Sequence, residues 1–191
     1  MTLTLASASP RRRMMLEPLG YTLDVRPADI DETPLPGEVP EVYALRVAQE
    51  KVASAPSPAL AADTVVHLDG EIFGKPADAA HAARMLRALS GREHLVTSAF
   101  ALRVGDALIT RAVTTKVRFR ALSDAEISGY VATGEPMDKA GAYGIQGVGG
   151  FLVATIDGSY SNVVGLPLAE LLDELTRLGL PAPFTMEAKT S

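Results

Sequence analysis

The chain contains no cysteine. That absence removes disulfide frameworks, thiolate zinc sites, iron–sulfur clusters and a thiol nucleophile from consideration, and it fits a reducing compartment. Positive charge is in short supply: 18 Lys and Arg stand against 23 Asp and Glu, a net charge of -5, which excludes a generically basic nucleic-acid binder. No apolar run approaches the roughly 20 residues of a membrane helix. The opening MTLTLASASPRRR places its basic cluster after the apolar stretch, the reverse of a secretory signal. The expected location is therefore the cytoplasm, with neither nucleic acid nor membrane as partner. The histidines, His67, His81 and His94, show no i, i+4 spacing for zinc.

What is present is an ordinary globular balance, 47% hydrophobic and 21% charged, far from the signature of disorder. A chain of this mass buries about 70% of its extended surface, enough for one domain or two small lobes sharing a cleft. No linker separates independent domains. Residues 1–180 are expected to form one domain with two lobes, and 181–191, which lack periodicity, a frayed tail.

Leu3 to Ala6 reads as a short buried strand, followed by Ser9 as N-cap, Pro10 at the first helical position and a helix to about Glu17, ended by Pro18. Residues 22–26 form a strand and 41–53 a helix with Leu45, Ala48 and Val52 on its apolar face. The run Leu60 to Val66 is of the kind buried on both faces in a parallel sheet. Asp69-Gly70 marks a hairpin. Ala82, Met85, Leu86 and Leu89 predict a helix over 79–89, and residues 93–120 two strands broken at Gly105-Asp106. Ser123 and Glu126 form a capping box, with Leu122 and Ile127 placed for a hydrophobic staple, and the helix ends at Gly134. Residues 151–156 read as a strand, and a last helix runs from Pro167 to Gly179. The class is α/β.

Several residues break these local rules. Arg11, Arg12 and Arg13 crowd the first turn of a helix, where the macrodipole is already positive. Each costs on the order of a few tenths of a kcal/mol if merely solvated. Three beside a serine-rich turn favour a bound anion such as phosphate. Lys51 borders the apolar face of its helix, where snorkelling suffices to explain it. Asp63 interrupts Leu60-Ala61-Ala62-Asp63-Thr64-Val65-Val66, and an unpaired buried carboxylate is costly. Either an ion-pair partner or a catalytic role accounts for it. Glycine fills five of the ten positions in GAYGIQGVGG, residues 141–150. This is neither a GxxxxGK[ST] loop nor GxGxxG; it is either a series of tight turns or backbone brought close to a flat ligand. Gln146 within it could offer an amide to a base edge. With Lys75 of Gly74-Lys75-Pro76 and the acidic loop of Asp29, Asp31 and Glu32, the inventory suits a nucleoside triphosphate with a divalent ion.

The segments LASASPRRR (5–13), AADTVV (61–66), GKP (74–76), MLRALSGREH (85–94), GEPMDKAGAYGIQGVGG (134–150) and GSYSNVVGLPL (158–168) resemble the Maf family of nucleoside triphosphate pyrophosphatases. The likeness spans nearly the whole chain except the tail, and DKAGAYGIQG is similar to the dTTP/UTP-preferring branch. The resemblance implies an α/β fold with a long twisted mixed sheet flanked by helices, two lobes and a central cleft (Maf/ITPase-like), commonly as a homodimer. It implies hydrolysis at the α-phosphorus to the nucleoside monophosphate and pyrophosphate, with a divalent cation, Mg²⁺ or Mn²⁺. By motif position, Asp63 is the implied proton acceptor, and Arg11, Thr64 and Gln146 are linked to substrate preference. Ser7, Arg12, Glu32, Lys51 and Lys75 match other polar positions of the cleft.

The oxygen ligands Asp63 and Glu32 suit Mg²⁺ or Mn²⁺. Arg11, Arg12, Lys51 and Lys75 would hold the β- and γ-phosphates. Two alternatives stay open: hydrolysis of 7-methyl-GTP or other modified nucleotides as a pool-cleaning activity, and a nucleotide-binding inhibitor of septum formation.

Overall fold

The computed structural model describes residues 2–181, 183 and 184; most of the tail expected to fray lies outside the described residues. Seven strands form one sheet: β1 (Thr2–Leu5), β2 (Thr22–Val25), β3 (Ala59–Leu68), β4 (Glu71–Phe73), β5 (Glu93–Val104), β6 (Ala107–Phe119) and β7 (Val153–Asp157). Their order is β2-β1-β3-β5-β6-β7, with β4 paired to β3 alone. β1 runs parallel to β2 and β3, and every other pairing is antiparallel. The helices are α1 (Pro10–Leu16), α2 (Pro40–Ala53), α3 (Ala79–Leu89), α4 (Asp124–Ala132), α5 (Tyr160–Val164) and α6 (Leu168–Arg177).

Side chains alternate across β3, and the alternation sorts the core. Ala59, Ala61 and Val65 meet Ala44, Ala48 and Val52 of α2, with Ala99 and Ala101 of β5 beside them; small residues on both sides let the helix lie close. The opposite face carries two separate clusters. In one, Leu60 and Ala62 pack with Leu3, Leu5 and Phe100 against Leu171 and Leu175 of α6. In the other, Val66 and Leu68 pack with Val96 and Phe119 against Leu86 and Leu89 of α3 and Ile127 of α4. Fully burying each of these leucines stabilises the fold by roughly 1.5–3 kcal/mol. Thr64 falls between the two clusters.

β3 is central at both ends and an edge in its middle. Its pairing with β1 finishes at Leu5 and Leu60, where the Ala6 N–H donates to the Leu60 carbonyl at 2.8 Å. Pairing with β4 starts only at Val66 and Phe73. Between them, residues 61–65 have no strand on that side, while β5 lines the other side without a break. Ala62 and Thr64 share the parity of Leu60 and Val66, so their backbone N–H and C=O groups face this gap. The mixed sheet is the one the resemblance implies; the parallel pairing that so apolar a run suggests is confined to its start, against β1. The run is apolar because both faces are covered, but the sheet is mixed and opens beside Asp63 and Thr64.

Most predicted elements appear where the local chemistry places them. Ser123 and Glu126 form both bonds of the capping box, Asp69 and Gly70 turn the β3–β4 hairpin with positive φ, and Gly134 ends the segment after α4 at φ 76°. Two predictions shift. Ser9 stands at the N-cap of α1 with extended backbone, yet its side chain makes no capping bond. Residues Val148–Leu152 form a 3-10 turn, so the strand expected from 151 begins at Val153.

Candidate active site

The gap in β3 opens onto a cavity of about 1130 Å³. Ser7, Arg11, Arg12 and Thr64 line one part of it; Glu32, Lys51 and Asp63, then Lys75 and Gln146, line the rest. The three consecutive arginines divide. Arg12 is 8% exposed, and its Nε donates to the Gly165 carbonyl at 2.9 Å, Nη1 to Ser7 Oγ at 2.8 Å and Nη2 to Thr64 Oγ1 at 3.2 Å. A guanidinium has five N–H groups, so two remain, one on each terminal nitrogen. Burial lowers the Arg12 pKa and the Asp63 carboxylate opposes that shift; guanidinium stays charged under either influence. Arg11 reaches Asp138 Oδ2 at 3.2 Å. Arg13 pairs with Glu17 at 2.6 Å on the surface. The anion reading of the arginine cluster thus extends to two of them, and Arg13 is a solvated i, i+4 pair.

Lys51 does not snorkel. The lysine is 7% exposed, and its Nζ lies 2.9 Å from Asp63 Oδ1 and 3.0 Å from Glu32 Oε1. This is the compensation that a carboxylate in an apolar strand demands. Asp63 has no second protein partner among the described residues, which leaves Oδ2 for the cavity it lines. Burial pushes the Asp63 carboxyl above the usual carboxylate range; Lys51 and Arg12 oppose the shift and Glu32 adds to it. Glu32 is brought there by its loop. The Tyr43 hydroxyl donates to the Glu32 carbonyl at 2.9 Å, and Arg46 donates to the Thr33 carbonyl at 3.1 Å while pairing with Glu38 at 2.7 Å. Asp31 is occupied with the Thr33 N–H at 2.9 Å, so of the three acids in the loop only Glu32 reaches Lys51.

Thr64 holds Arg12 through a chain of hydroxyls. Ser98 Oγ donates to the Asn162 carbonyl at 2.8 Å. Its single hydrogen is thereby spent, so Thr64 donates to Ser98 across their 2.8 Å contact and accepts from Arg12. Lys75 and Gln146 are exposed, and neither side chain has a protein partner among the described residues. Among the polar residues lining the cavity, Tyr43, Glu135, Asp138 and Lys139 were not marked as site residues by the sequence. Tyr43 carried no signal beyond its place on an amphipathic helix. The other three lie beside the glycine run, where Glu135 and Lys139 are four residues apart and Lys139 Nζ donates to the Glu135 carbonyl and Asp138 Oδ1, both at 2.6 Å.

A buried acid clasped by a lysine, a fixed guanidinium and a polar cleft at a sheet gap define a site for a polyanionic substrate. Residues 2–178 match the family model described as Maf-like protein, and the chain belongs to the Maf family. It is 57% identical over 187 residues to the dTTP/UTP pyrophosphatase of Anaeromyxobacter dehalogenans (strain 2CP-C), covering 95% of this chain and 96% of that one. It is 56% identical to the dTTP/UTP pyrophosphatase of Myxococcus xanthus, covering 95% of each. The protein of the same name from Geobacter sulfurreducens is 51% identical, covering 93% of this chain and 96% of that one. Among solved structures, the Staphylococcus aureus Ham1 protein aligns at a TM-score of 0.46 with 16% identity, covering 62% of this chain and 72% of that chain.

Proposed function

We propose that this protein is a nucleoside triphosphate pyrophosphatase that hydrolyses the α–β phosphoanhydride bond of dTTP and UTP. The observation that carries the reading is the Lys51–Asp63 pair within the cavity that Arg12 also lines. It sets an acid with a free oxygen beside fixed cations, in a chain whose relatives bear that activity in their names.

Hydrolysis of this bond needs an aligned water and stabilisation of the departing pyrophosphate more than covalent chemistry. Asp63 takes a proton from the water as its oxygen attacks the α-phosphorus. The α–β bridging bond breaks, and its electron pair leaves with pyrophosphate. Lys51, itself held by Glu32, fixes the carboxylate, while burial raises its basicity and so improves proton abstraction near neutral pH. The two unused N–H groups of Arg12, with Lys75 and Arg11, receive the β- and γ-phosphates. Arg11 gives up Asp138 to do so.

A divalent cation fits the same corner. Lys51 occupies Glu32 Oε1 and Asp63 Oδ1, so an ion would take the other oxygen of each carboxylate; no group of three or more acids or histidines suited to a metal exists among the described residues. Mg²⁺ accepts such a minimal set, one or two carboxylates completed by substrate phosphates and water. Glu32 would hold the ion, with Asp63 as its second ligand where Asp63 acts through the ion rather than as the direct proton acceptor; when bound, the ion supplies charge neutralisation and a more acidic water. The deciding experiment incubates the purified protein with each common triphosphate and Mg²⁺ or Mn²⁺, and identifies the released anion. Pyrophosphate with TMP or UMP is expected; orthophosphate, or no release from dTTP and UTP, discards the reading.

A further inference from the structure

Glu135 lines the cleft, yet its carboxylate is spent on the protein backbone. Oε1 accepts from the Tyr130 hydroxyl and from the Gly149 N–H, and Oε2 from the Val148 N–H, each at 2.9 Å. The Tyr130 hydroxyl in turn accepts from the Gly144 N–H at 3.1 Å. The span 144–149 is therefore pinned at both ends to one small anchor, and Gln146 sits between the pins. Burial acts to raise the Glu135 pKa, but the Gly149, Tyr130 and Val148 donors outweigh it and hold the group below the usual carboxylate range. The anchor is an anion at neutral pH.

The glycines record how closely the loop approaches it. A Cβ on Gly147 would overlap the Glu135 carboxylate, and one on Gly149 the Tyr130 hydroxyl. At Gly147 the proximity of that carboxylate is enough to exclude a side chain. Of the two sequence expectations for GAYGIQGVGG, tight turns hold at Gly141, with φ 71°. The close approach over 147–149 is to the protein's own carboxylate and phenol. The start of the loop is equally fixed: Tyr143 is buried, its hydroxyl 2.9 Å from Nε2 of His94, and burial lowers the His94 pKa to about 4, so that ring is neutral.

We infer that Glu135, together with Tyr130, is a positioning residue for base recognition: it holds backbone 144–149 so that the Gln146 amide and the fixed backbone groups beside it meet the imide edge of thymine or uracil. The inference rests on the proposed dTTP/UTP activity. A primary amide discriminates an imide from the amino-bearing edge of cytosine only when donor and acceptor ends are fixed. The Gln146 side chain has no protein partner among the described residues and can turn over about its last bond, so the pinned main chain fixes where the amide sits, and the backbone N–H and C=O groups of the same span, whose ends cannot exchange, set the direction. Oε1 is filled by two donors, and Oε2 carries the Val148 N–H.

The test measures kcat/KM for UTP and CTP in wild type, Glu135→Gln, Tyr130→Phe and Gly147→Ala, with thermal melting of each. Gln at 135 loses one of two acceptors, and Ala at 147 displaces the carboxylate from the loop side. In both, the UTP:CTP ratio is expected to fall by about tenfold, with the loss in KM for UTP, and by less in Tyr130→Phe. A ratio within twofold of wild type in both Glu135→Gln and Gly147→Ala overturns the inference, as does an equal loss of kcat on both substrates. A wild-type enzyme with no preference for UTP over CTP fails the functional reading itself, and is recognised before any variant is made.

Discussion

The two walls of the cleft are built on opposite plans. On the side proposed to hold the phosphates, charged side chains are buried and paired in advance: Arg12 is held by Ser7, Thr64 and Gly165, and Asp63 by Lys51. On the side proposed to read the base, Gln146 is exposed and its side chain has no partner among the described residues, and order comes from a backbone strapped to Glu135 and Tyr130. A triphosphate offers the same charges whatever its base, so its wall can be rigid and electrostatic. A base is told apart by the direction of two or three hydrogen bonds, so its wall must control orientation. The walls should fail differently: damage to the first removes turnover from all substrates, damage to the second removes choice.

The largest break in that comparison is Asp63→Asn. The amide keeps the shape and can still approach Lys51, but it accepts no proton from water. Loss of a general base costs about 10²–10⁴-fold in rate. Pyrophosphate release should fall by that much for UTP and CTP alike, with the UTP:CTP ratio retained and melting preserved. A variant turning over near the wild-type rate would remove Asp63 from the mechanism.

A smaller effect sharpens the electrostatics of the same wall. The rate should rise with pH as Asp63 loses its proton, with a midpoint above the ordinary aspartate value of about 3.9 because burial raises it. Lys51 opposes that rise and Glu32 adds to it. Lys51→Met therefore moves the acid limb of kcat/KM to higher pH, and Glu32→Gln moves it to lower pH. Opposite shifts are the expected result, checked against the titration of the Asp63 carboxyl in each metal-free variant. Shifts of the same sign would mean that the limb belongs to another group.

The two walls were not equally legible in the sequence. Asp63 stood out because a carboxylate in an apolar strand violates burial rules, and the arginines because they oppose a helix dipole. Each anomaly was a property of one residue against its neighbours. Their pairing was not legible: α2 reaches β3 only through tertiary packing, so Lys51 read as a snorkelling side chain. The gap beside residues 61–65 was invisible for the same reason, since strand order depends on where β1 and β4 stop. The glycine run was conspicuous as composition, while its cause, Glu135, is eleven residues before Gln146 and breaks no local rule. Helices and hairpins carried by short-range chemistry, such as α3 and the Ser123–Glu126 box, needed no tertiary knowledge.

Thr64 is the residue on which the division between walls can be tested most finely. The resemblance links its position to substrate preference, but its hydroxyl is engaged on both sides, donating to Ser98 and accepting from Arg12. A hydroxyl so committed has no hydrogen to offer a base, so its influence should run through the guanidinium. Thr64→Val removes the acceptor for one buried N–H of Arg12 while nearly keeping volume; the loss of such a bond to a charged group costs about 1.5–3 kcal/mol at most. The expected outcome is a rise of about tenfold in KM for UTP and CTP together, with weaker product inhibition by pyrophosphate, and recovery of both in Thr64→Ser. Should the variant change the UTP:CTP ratio while leaving pyrophosphate inhibition intact, Thr64 would belong to the base wall, and the boundary between the walls would lie one residue closer to Asp63.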